Sequence, residues 1–315
     1  MLLTITLIGL PAGIYNFAGW LVIPLAFVGG GLGLLRAWLL AHDAGHRALV
    51  NNKVLNNLLG SIFAAPTLYP FSALARAHAY HHCFLNDADL DTTWRPWTRK
   101  AYEKKSGLEK FLYRAVRHKM WFLGSFFHLL IFHFWTEEIK LRNTAKVILE
   151  KAVSLALLVF LFGVFLFKPK FFLAVILIQY LGFHFFLSTI SYIQHSFPAF
   201  SDDKKTAKYW DLTSKNETKR VSPQEVALRT IDWRFPKWFE FLIMYINLHT
   251  VHHAFPHLPF YRLPAYSQKL RRTIAIDMRI FRLKDLLAVI DNCHFVNEPN
   301  KDGTLLWYTR NRIAP

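Results

Sequence analysis

Two long apolar blocks constrain this chain more than any other feature of its sequence. Between Leu2 and Ala41 the only charged residue is Arg36, and between Ala152 and Ile193 the only charged residues are Lys168 and Lys170. A membrane-spanning helix needs about 20 apolar residues, and each block is about twice that length. A helix of a soluble protein would show a polar face over this length, and these blocks show none. We therefore expect two helical hairpins, which give four transmembrane helices in an all-α integral membrane protein.

A cleaved signal peptide is the alternative interpretation of the first block. Such a peptide has a basic start and a cleavage site made of small residues. Met1–Thr4 contains no basic residue, and the apolar run continues too far. We therefore expect the first block to stay in the membrane.

Charge and cysteine content indicate where the polar segments lie. The net charge of +17 falls almost entirely outside the apolar blocks, and basic residues favour the cytoplasmic side of a membrane and its anionic headgroups. No nucleic-acid motif accompanies this charge, so we expect no nucleic-acid partner. The two cysteines, Cys83 and Cys293, imply no disulfide framework, and we expect both to be reduced on a cytosol-facing side.

We expect a single domain, residues 1–315, in four consecutive parts. They are the first membrane hairpin (1–41), a segment with interfacial helices (42–146), the second membrane hairpin (147–193) and a cytosolic cap (194–315). Within the second part, Leu58–Phe71 and Trp121–Trp135 are too short to cross a membrane and are expected to lie at its surface. Ser201–Ser222 is the most loop-like stretch of the cap. Paired spans place the second and fourth parts on the same side.

Eight of the fifteen histidines fall in three short clusters. The clusters are His42-Asp43-Ala44-Gly45-His46, His78-Ala79-Tyr80-His81-His82 and His249-Thr250-Val251-His252-His253. Residues three or four apart share a helix face, so we expect the histidines of each cluster to converge. Neutral imidazole is the commonest metal ligand and suits iron, zinc and copper. The first pattern alone could arise by chance, whereas two HxxHH patterns in one chain indicate a metal site.

The position and number of these histidines favour two metal ions at the membrane edge. His42 and His46 follow the first apolar block, and His195 follows the second. Eight or nine histidines are too many for one octahedral metal, and two metals would share them. Asp43 could orient a histidine by accepting its second N–H. Isolated histidines are expected to be ordinary polar residues, namely His118, His128, His133 and His257.

The clusters, in this order and spacing, resemble the membrane fatty acid desaturase family, and within it the acyl-lipid Δ12 (ω6) branch of cyanobacteria and plastids. The flanking stretches that share the resemblance are His42–Asn57, Pro66–His82, Tyr192–Pro198, Asp232–Leu263 and Asn292-Cys293-His294. The resemblance covers most of the chain from about residue 20 onward, and its motifs are specific as a set.

The resemblance implies an O2-dependent enzyme that inserts a cis double bond into a membrane-lipid acyl chain. It implies two Fe ions, O2 as co-substrate and external electrons, with ferredoxin favoured over cytochrome b5 as the donor. It also implies four spans, a cap facing the cytosol or stroma, and a narrow acyl tunnel. Trp94, Trp97 and Trp233 are candidates for the tunnel wall or the membrane interface. The iron ligands implied are His42, His46, His78, His81, His82, His195, His249, His252 and His253.

Two other interpretations stay open. Ala254-Phe255-Pro256-His257 resembles the ω3 branch or the carotenoid ketolases, so a carotenoid ketolase or hydroxylase, or a lipid hydroxylase, is an alternative within the same superfamily. A histidine-rich membrane metal transporter is a more distant alternative, and it would predict polar residues midway along the spans. The acidic run Asp87, Asp89 and Asp91 also differs from the family pattern, and we interpret it as a solvated turn.

Overall fold

The fold is taken from a computed structural model, which describes most of the chain. The described residues are 1–83, 85, 97, 99–134, 144–195, 223, 226–227, 230–276, 278–292, 296–299 and 305–307. Several residues named above lie outside them, namely Asp87, Asp89, Asp91, Trp94, Cys293 and the stretch Ser201–Ser222.

The first apolar block folds as one short and one long helix, and the expectation of two comparable spans in this block is wrong. Helix α1 (Leu2–Gly13) has 12 residues, too few to cross a bilayer. Helix α2 (Tyr15–Gly45) has 31 residues. The chain turns at Ile14, where the backbone leaves helical geometry. Apolar content fixes the length of the block, but it does not fix where within the block the turn falls.

The next two helices form a bent pair. Helix α3 (Lys53–Thr67) and helix α4 (Phe71–Cys83) meet at an angle of 99°. Leu68 lies at the break in the left-handed region, with a φ of 65°. Its carbonyl accepts hydrogen bonds from His133 Nε2 and Ser154 Oγ, at 2.8 and 3.2 Å. The apolar stretch expected at the membrane surface, Leu58–Phe71, is therefore part of a helix pair that is together apolar and long enough to cross a membrane.

Three shorter helices precede the second apolar block. They are α5 (Arg99–Glu103), α6 (Gly107–Arg117) and α7 (Trp121–Phe134). A reciprocal capping box starts α6, in which the Ser106 hydroxyl accepts from Glu109 N–H and the Glu109 carboxylate accepts from Ser106 N–H. This pairing satisfies two N–H groups that have no partner within a helix. Helix α7 confirms the apolar helix predicted for this region.

The second apolar block forms the predicted hairpin. Helix α8 (Ala145–Phe167) and helix α9 (Pro169–Gln194) meet at Lys168, where proline starts the second helix. Among the described residues, α2, α8 and α9 are each long and apolar enough to span a membrane. The bent pair enters and returns on one side, because Asn56 near its start donates to the Ala44 carbonyl of α2 and the ring of His82 near its end lies 4.4 Å from that of His46.

The last part of the chain is less purely helical than expected. Its helices are α10 (Lys237–Leu242), α11 (His249–Ala254), α12 (Leu263–Leu270) and α13 (Leu283–Asn292). Strands β1 (Asp232–Arg234) and β2 (Met278–Ile280) pair in parallel, and β3 (Val296–Pro299) and β4 (Leu305–Trp307) pair in antiparallel. The described fold is thus mostly helical with two short sheets, which corrects the all-α prediction.

Close backbone contact holds the two longest helices together. A Cβ on Gly31 of α2 would lie 2.7 Å from the carbonyl carbon of Gly182 on α9, and a Cβ on Gly182 would collide with the Phe27 carbonyl oxygen. Small residues at such crossings let membrane helices approach closely. This contact matters for the site below, because both helices end beside the histidine clusters.

Candidate metal centre

Helix ends bring the histidine clusters to one place. His42 lies in the last turn of α2 and His46 follows its end, while His195 follows the end of α9. The second cluster occupies the second half of α4, and the third occupies most of α11. Segments that are far apart in the sequence thus place all nine predicted histidines in one region of the fold.

The nine histidines form two groups. The first group is His42, His46, His78, His82 and His252, and the second is His81, His195, His249 and His253. In each group the nearest ring nitrogens all lie within 4.8 Å of one another. The groups adjoin, because two contacts cross between them: the ring centroids of His82 and His253 are 4.0 Å apart, and those of His252 and His253 are 5.4 Å apart. This geometry can hold two metal ions side by side.

Each HxxHH cluster contributes to both groups, contrary to the expectation that its three histidines converge. His78 and His82 point into the five-histidine group, while His81 points into the other. The third cluster does the reverse, since His249 and His253 join the four-histidine group and His252 joins the five. Neighbouring residues differ by about 100° around an α-helix, whereas residues four apart nearly align. The adjacent histidines of each cluster therefore diverge, and the outer pair stays together.

The ring nitrogens are placed as ligands of a common ion would be. His82 Nε2 lies 2.8 Å from His78 Nε2, and His249 Nε2 lies 3.1 Å from His195 Nε2 and 3.0 Å from His253 Nε2. Two imidazole nitrogens bound at right angles, each about 2.0–2.1 Å from a metal, would be about 3 Å apart.

The buried Nε2 of His252 also lacks a hydrogen-bond partner among the described residues. A buried polar atom without a partner is costly, and an ion bound in the five-histidine group would satisfy this one. The residues present therefore fit a metal centre.

Burial keeps these imidazoles neutral. It lowers the pKa of His195, His249, His252 and His253 well below the usual value, and the neighbouring histidines lower each pKa further. A charged imidazolium would lose its hydration in this interior and repel the others. Neutral imidazole is the form that binds metals.

Asp43 lies where the sequence analysis expected it. Its Oδ1 is 3.2 Å from His42 Nδ1, and both side chains are buried. A carboxylate in this position can accept the N–H of the ring and fix which nitrogen faces the centre. That Asp43 does this for a bound metal stays a prediction.

The tryptophan candidates separate in the structure. Trp233 is fully buried and donates from its indole N–H to the Ile193 carbonyl oxygen at 3.1 Å, so it does not lie at a membrane surface. Trp97 stacks on Tyr113, with the ring centroids 4.4 Å apart.

One of the isolated histidines, His257, lies next to the centre. Its Nδ1 is 2.8 Å from the His46 carbonyl oxygen, and this contact links the chain after α11 to the end of α2.

Asp232 is a site residue that the sequence analysis missed. Its Oδ1 accepts a hydrogen bond of 2.8 Å from the backbone N–H of Thr250, in the first turn of α11. N–H groups in a first helical turn have no partner within the helix. Burial raises the pKa of the Asp232 carboxyl to about 7, although Thr250 and Arg271 act to lower it. Asp232 lies 17 residues before His249, so no local pattern marks it as a cap of that helix.

We expect Asp232→Ala to destabilise the protein and to lower its metal content. The substitution leaves the Thr250 N–H buried without an acceptor, which costs about 1–3 kcal/mol. Asp232→Asn keeps an oxygen in place and is the matched control. The measurements are thermal unfolding and bound metal per chain after purification. An alanine variant that equals the wild type in both would show that Asp232 does not position the third cluster.

Comparisons with known proteins identify the class to which this chain belongs. The family model described as "Fatty acid desaturase" matches residues 18–281. The chain therefore belongs to the fatty acid desaturase family, whose members are oxidoreductases.

Its relatives include the sn-1 oleoyl-lipid 12-desaturases of Synechocystis and Picosynechococcus, each 30% identical over 87% of this chain and covered over 76% and 77% of their own lengths. The chloroplastic omega-6 fatty acid desaturase of Glycine max is 27% identical over 86% of this chain and 61% of its own length.

Proposed function

We propose that this chain is an acyl-lipid desaturase that inserts a cis double bond at the Δ12 (ω6) position of a membrane-lipid acyl chain. The observation that carries the proposal is the division of nine histidines into adjoining groups of five and four. Membership of the family supports the reaction class. The names of the cyanobacterial relatives, which are 12-desaturases of an oleoyl lipid, support the position.

The proposed cofactor is a pair of iron ions, one in each histidine group. Bound iron supplies the activation of O2 and the removal of two hydrogen atoms from adjacent methylenes, with two external electrons per double bond. The histidines hold the ions as neutral ligands, Asp43 orients His42, and burial keeps water from the centre. Position specificity then depends on holding the acyl chain so that one carbon pair lies closest to the centre. Ferredoxin is the proposed donor, in preference to cytochrome b5.

The proposed topology is a single domain of four spans, in which α1 is the short partner of α2, with the histidine centre facing the cytosol or stroma. About 20 helical residues cross the hydrocarbon core. Counted from Tyr15 on α2 and from Pro169 on α9, this length ends near Arg36 and near Thr189 respectively. His42 and His195 each lie six residues further on, or about 9 Å along a helix. The agreement between two separate helices supports a centre that lies just outside the hydrocarbon core.

The test is fatty acid analysis by gas chromatography–mass spectrometry. The host is a cyanobacterium that lacks polyunsaturated acyl chains and expresses either this chain or its His252→Ala variant. We expect a new Δ12 diene with the intact chain and none with the variant, because His252 belongs to the five-histidine group. A double bond at another carbon would refute the position. An unchanged acyl profile with iron-loaded protein in the membrane would refute desaturation and would direct the search to carotenoid and hydroxylated-lipid products.

A further inference from the structure

Helix α10 is apolar on two neighbouring faces, about 100° apart around its axis. Phe239 and Leu242 pack against the main hydrophobic core, as does Phe235 just before the helix. Trp238 and Phe241 lie on the other face and are 65% and 45% exposed. Residues three apart share a helix face, so each pair forms a stripe. The outward stripe places two large aromatic side chains where a water-soluble cap would carry polar residues.

Arg36 fixes the level at which this helix lies. It is the only charge in the first apolar block and is 4% exposed. Its Nη1 donates to the carbonyl oxygens of Phe241 and Leu242, both at 2.8 Å, and the guanidinium lies 5.4 Å from the centre of the Phe241 ring. Carbonyls at the end of a helix have no partner within it, and a cation there is favourable. The buried charge of α2 is therefore matched by the end of α10.

The length of α2 places this contact at the edge of the bilayer. About 20 residues beyond Tyr15, the hydrocarbon core ends close to Arg36. The end of α10 then lies at the same depth, below the histidine centre. Tryptophan is enriched at this depth, where its ring is apolar and its N–H can reach water. Lys237 is exposed beside Trp238, and a lysine at an interface can extend its charge towards the headgroups.

We propose that α10 is an anchor that lies in the membrane interface, with Trp238 and Phe241 embedded in lipid and Arg36 holding the helix to α2. The occupant of the exposed stripe is the lipid bilayer, because the Arg36 contact holds the stripe at the depth where the hydrocarbon core ends. After α10 the chain turns back through Met244 and Tyr245, both with positive φ, and reaches His249 five residues after Met244. The anchor therefore sets the height of the third histidine cluster above the bilayer. The anchor requires neither bound iron nor activity.

Spin labels measure the depth of the anchor. The full-length chain carries Cys83→Ser and Cys293→Ser, with a single nitroxide attached after Trp238→Cys or Phe241→Cys, in lipid nanodiscs. The control label follows Arg272→Cys, an exposed cation of the cap. We expect a several-fold higher ratio of oxygen to nickel-chelate accessibility at 238 and 241 than at 272. Equal ratios would place the stripe in water and overturn the proposal. Low accessibility to both probes would show a protein partner, such as a second copy, and would overturn it too.

A second measurement uses a conservative variant, so it does not depend on the folding of the cysteine variants. Trp238→Phe keeps an aromatic ring, and the fluorescence difference between wild type and variant isolates the signal of Trp238. We expect brominated lipid to quench this difference signal and aqueous acrylamide to leave it largely unchanged. Quenching by acrylamide alone would contradict the anchor.

Discussion

Removing His195 is expected to release one of the two proposed iron ions and to abolish the proposed desaturation. The His195→Ala change leaves His81, His249 and His253 in the four-histidine group and keeps the five-histidine group intact. Hydrogen removal that depends on both ions would then fall at least about 100-fold, the scale on which even residues that only support metal ligands act. The measurements are iron by mass spectrometry and dienes by gas chromatography.

His118→Ala is the matched control, since His118 belongs to neither histidine group among the described residues. A sharper comparison pairs His81→Ala with His82→Ala. These neighbours lie on one helix but serve different groups, so each variant should retain iron at the other site, and the two should give different Mössbauer spectra. Identical spectra from the two variants would contradict the division into five and four.

Acidification is expected to destabilise the metal-free protein strongly between pH 7 and pH 5. Burial holds the pKa of His195, His249, His252 and His253 well below the ordinary value of 6.5. The unfolded chain then binds more protons than the folded chain as the pH falls below 6.5, so the folded state loses stability in this direction. Above pH 6.5 the free energy of unfolding is unaffected by these groups. Below pH 6.5 each histidine can lower it by up to about 1.4 kcal/mol per pH unit.

Thermal unfolding of the metal-free protein in detergent at pH 7.5 and pH 5.5 measures this effect. Replacing one of the four histidines by an apolar residue, as in His253→Leu, removes one titrating group and should reduce the difference in melting temperature. A melting temperature independent of pH would show that these imidazoles are not held neutral. Bound metal should also be released on acidification, because protons compete for the ligand nitrogens.

Eight of the nine histidines of the centre were predictable because their pattern is local, whereas His195 was implied by its place after the second apolar block and by the family resemblance. Spacings of three and four residues mark a helix face, and all nine predicted histidines lie in the two groups. Helical geometry also explains why adjacent histidines belong to different groups. That division could be derived only after the structure had shown where the two groups lie. The cap that Asp232 provides was not predictable, since the contact joins a strand to a helix through tertiary structure.

The membrane hairpin of the second block was predictable, but the lengths and path of the helices in the first block were not. The second block contains lysines and a proline near its middle, and the structure turns there. The first block has no such marker at its centre and turns near its start, at Ile14. At the break between α3 and α4, the Leu68 carbonyl accepts hydrogen bonds from His133 and Ser154. Both donors are far away in the sequence and reach this carbonyl only in the folded chain. Such long-range contacts cannot be predicted from the local sequence.

The assignment of adjacent histidines to different groups has a mechanical consequence. Helices α4 and α11 each carry ligands of both groups, His81 and His82 on α4 and His252 and His253 on α11. Each helix therefore connects the two groups rigidly. A rotation of either helix would move ligands of both groups at once. In soluble di-iron bundles, glutamates on several helices supply much of the ligand set. Here the spacing of two bound ions would be set by the angle between neighbouring residues of a helix, so an inserted or deleted residue within either HxxHH would disassemble both sites together.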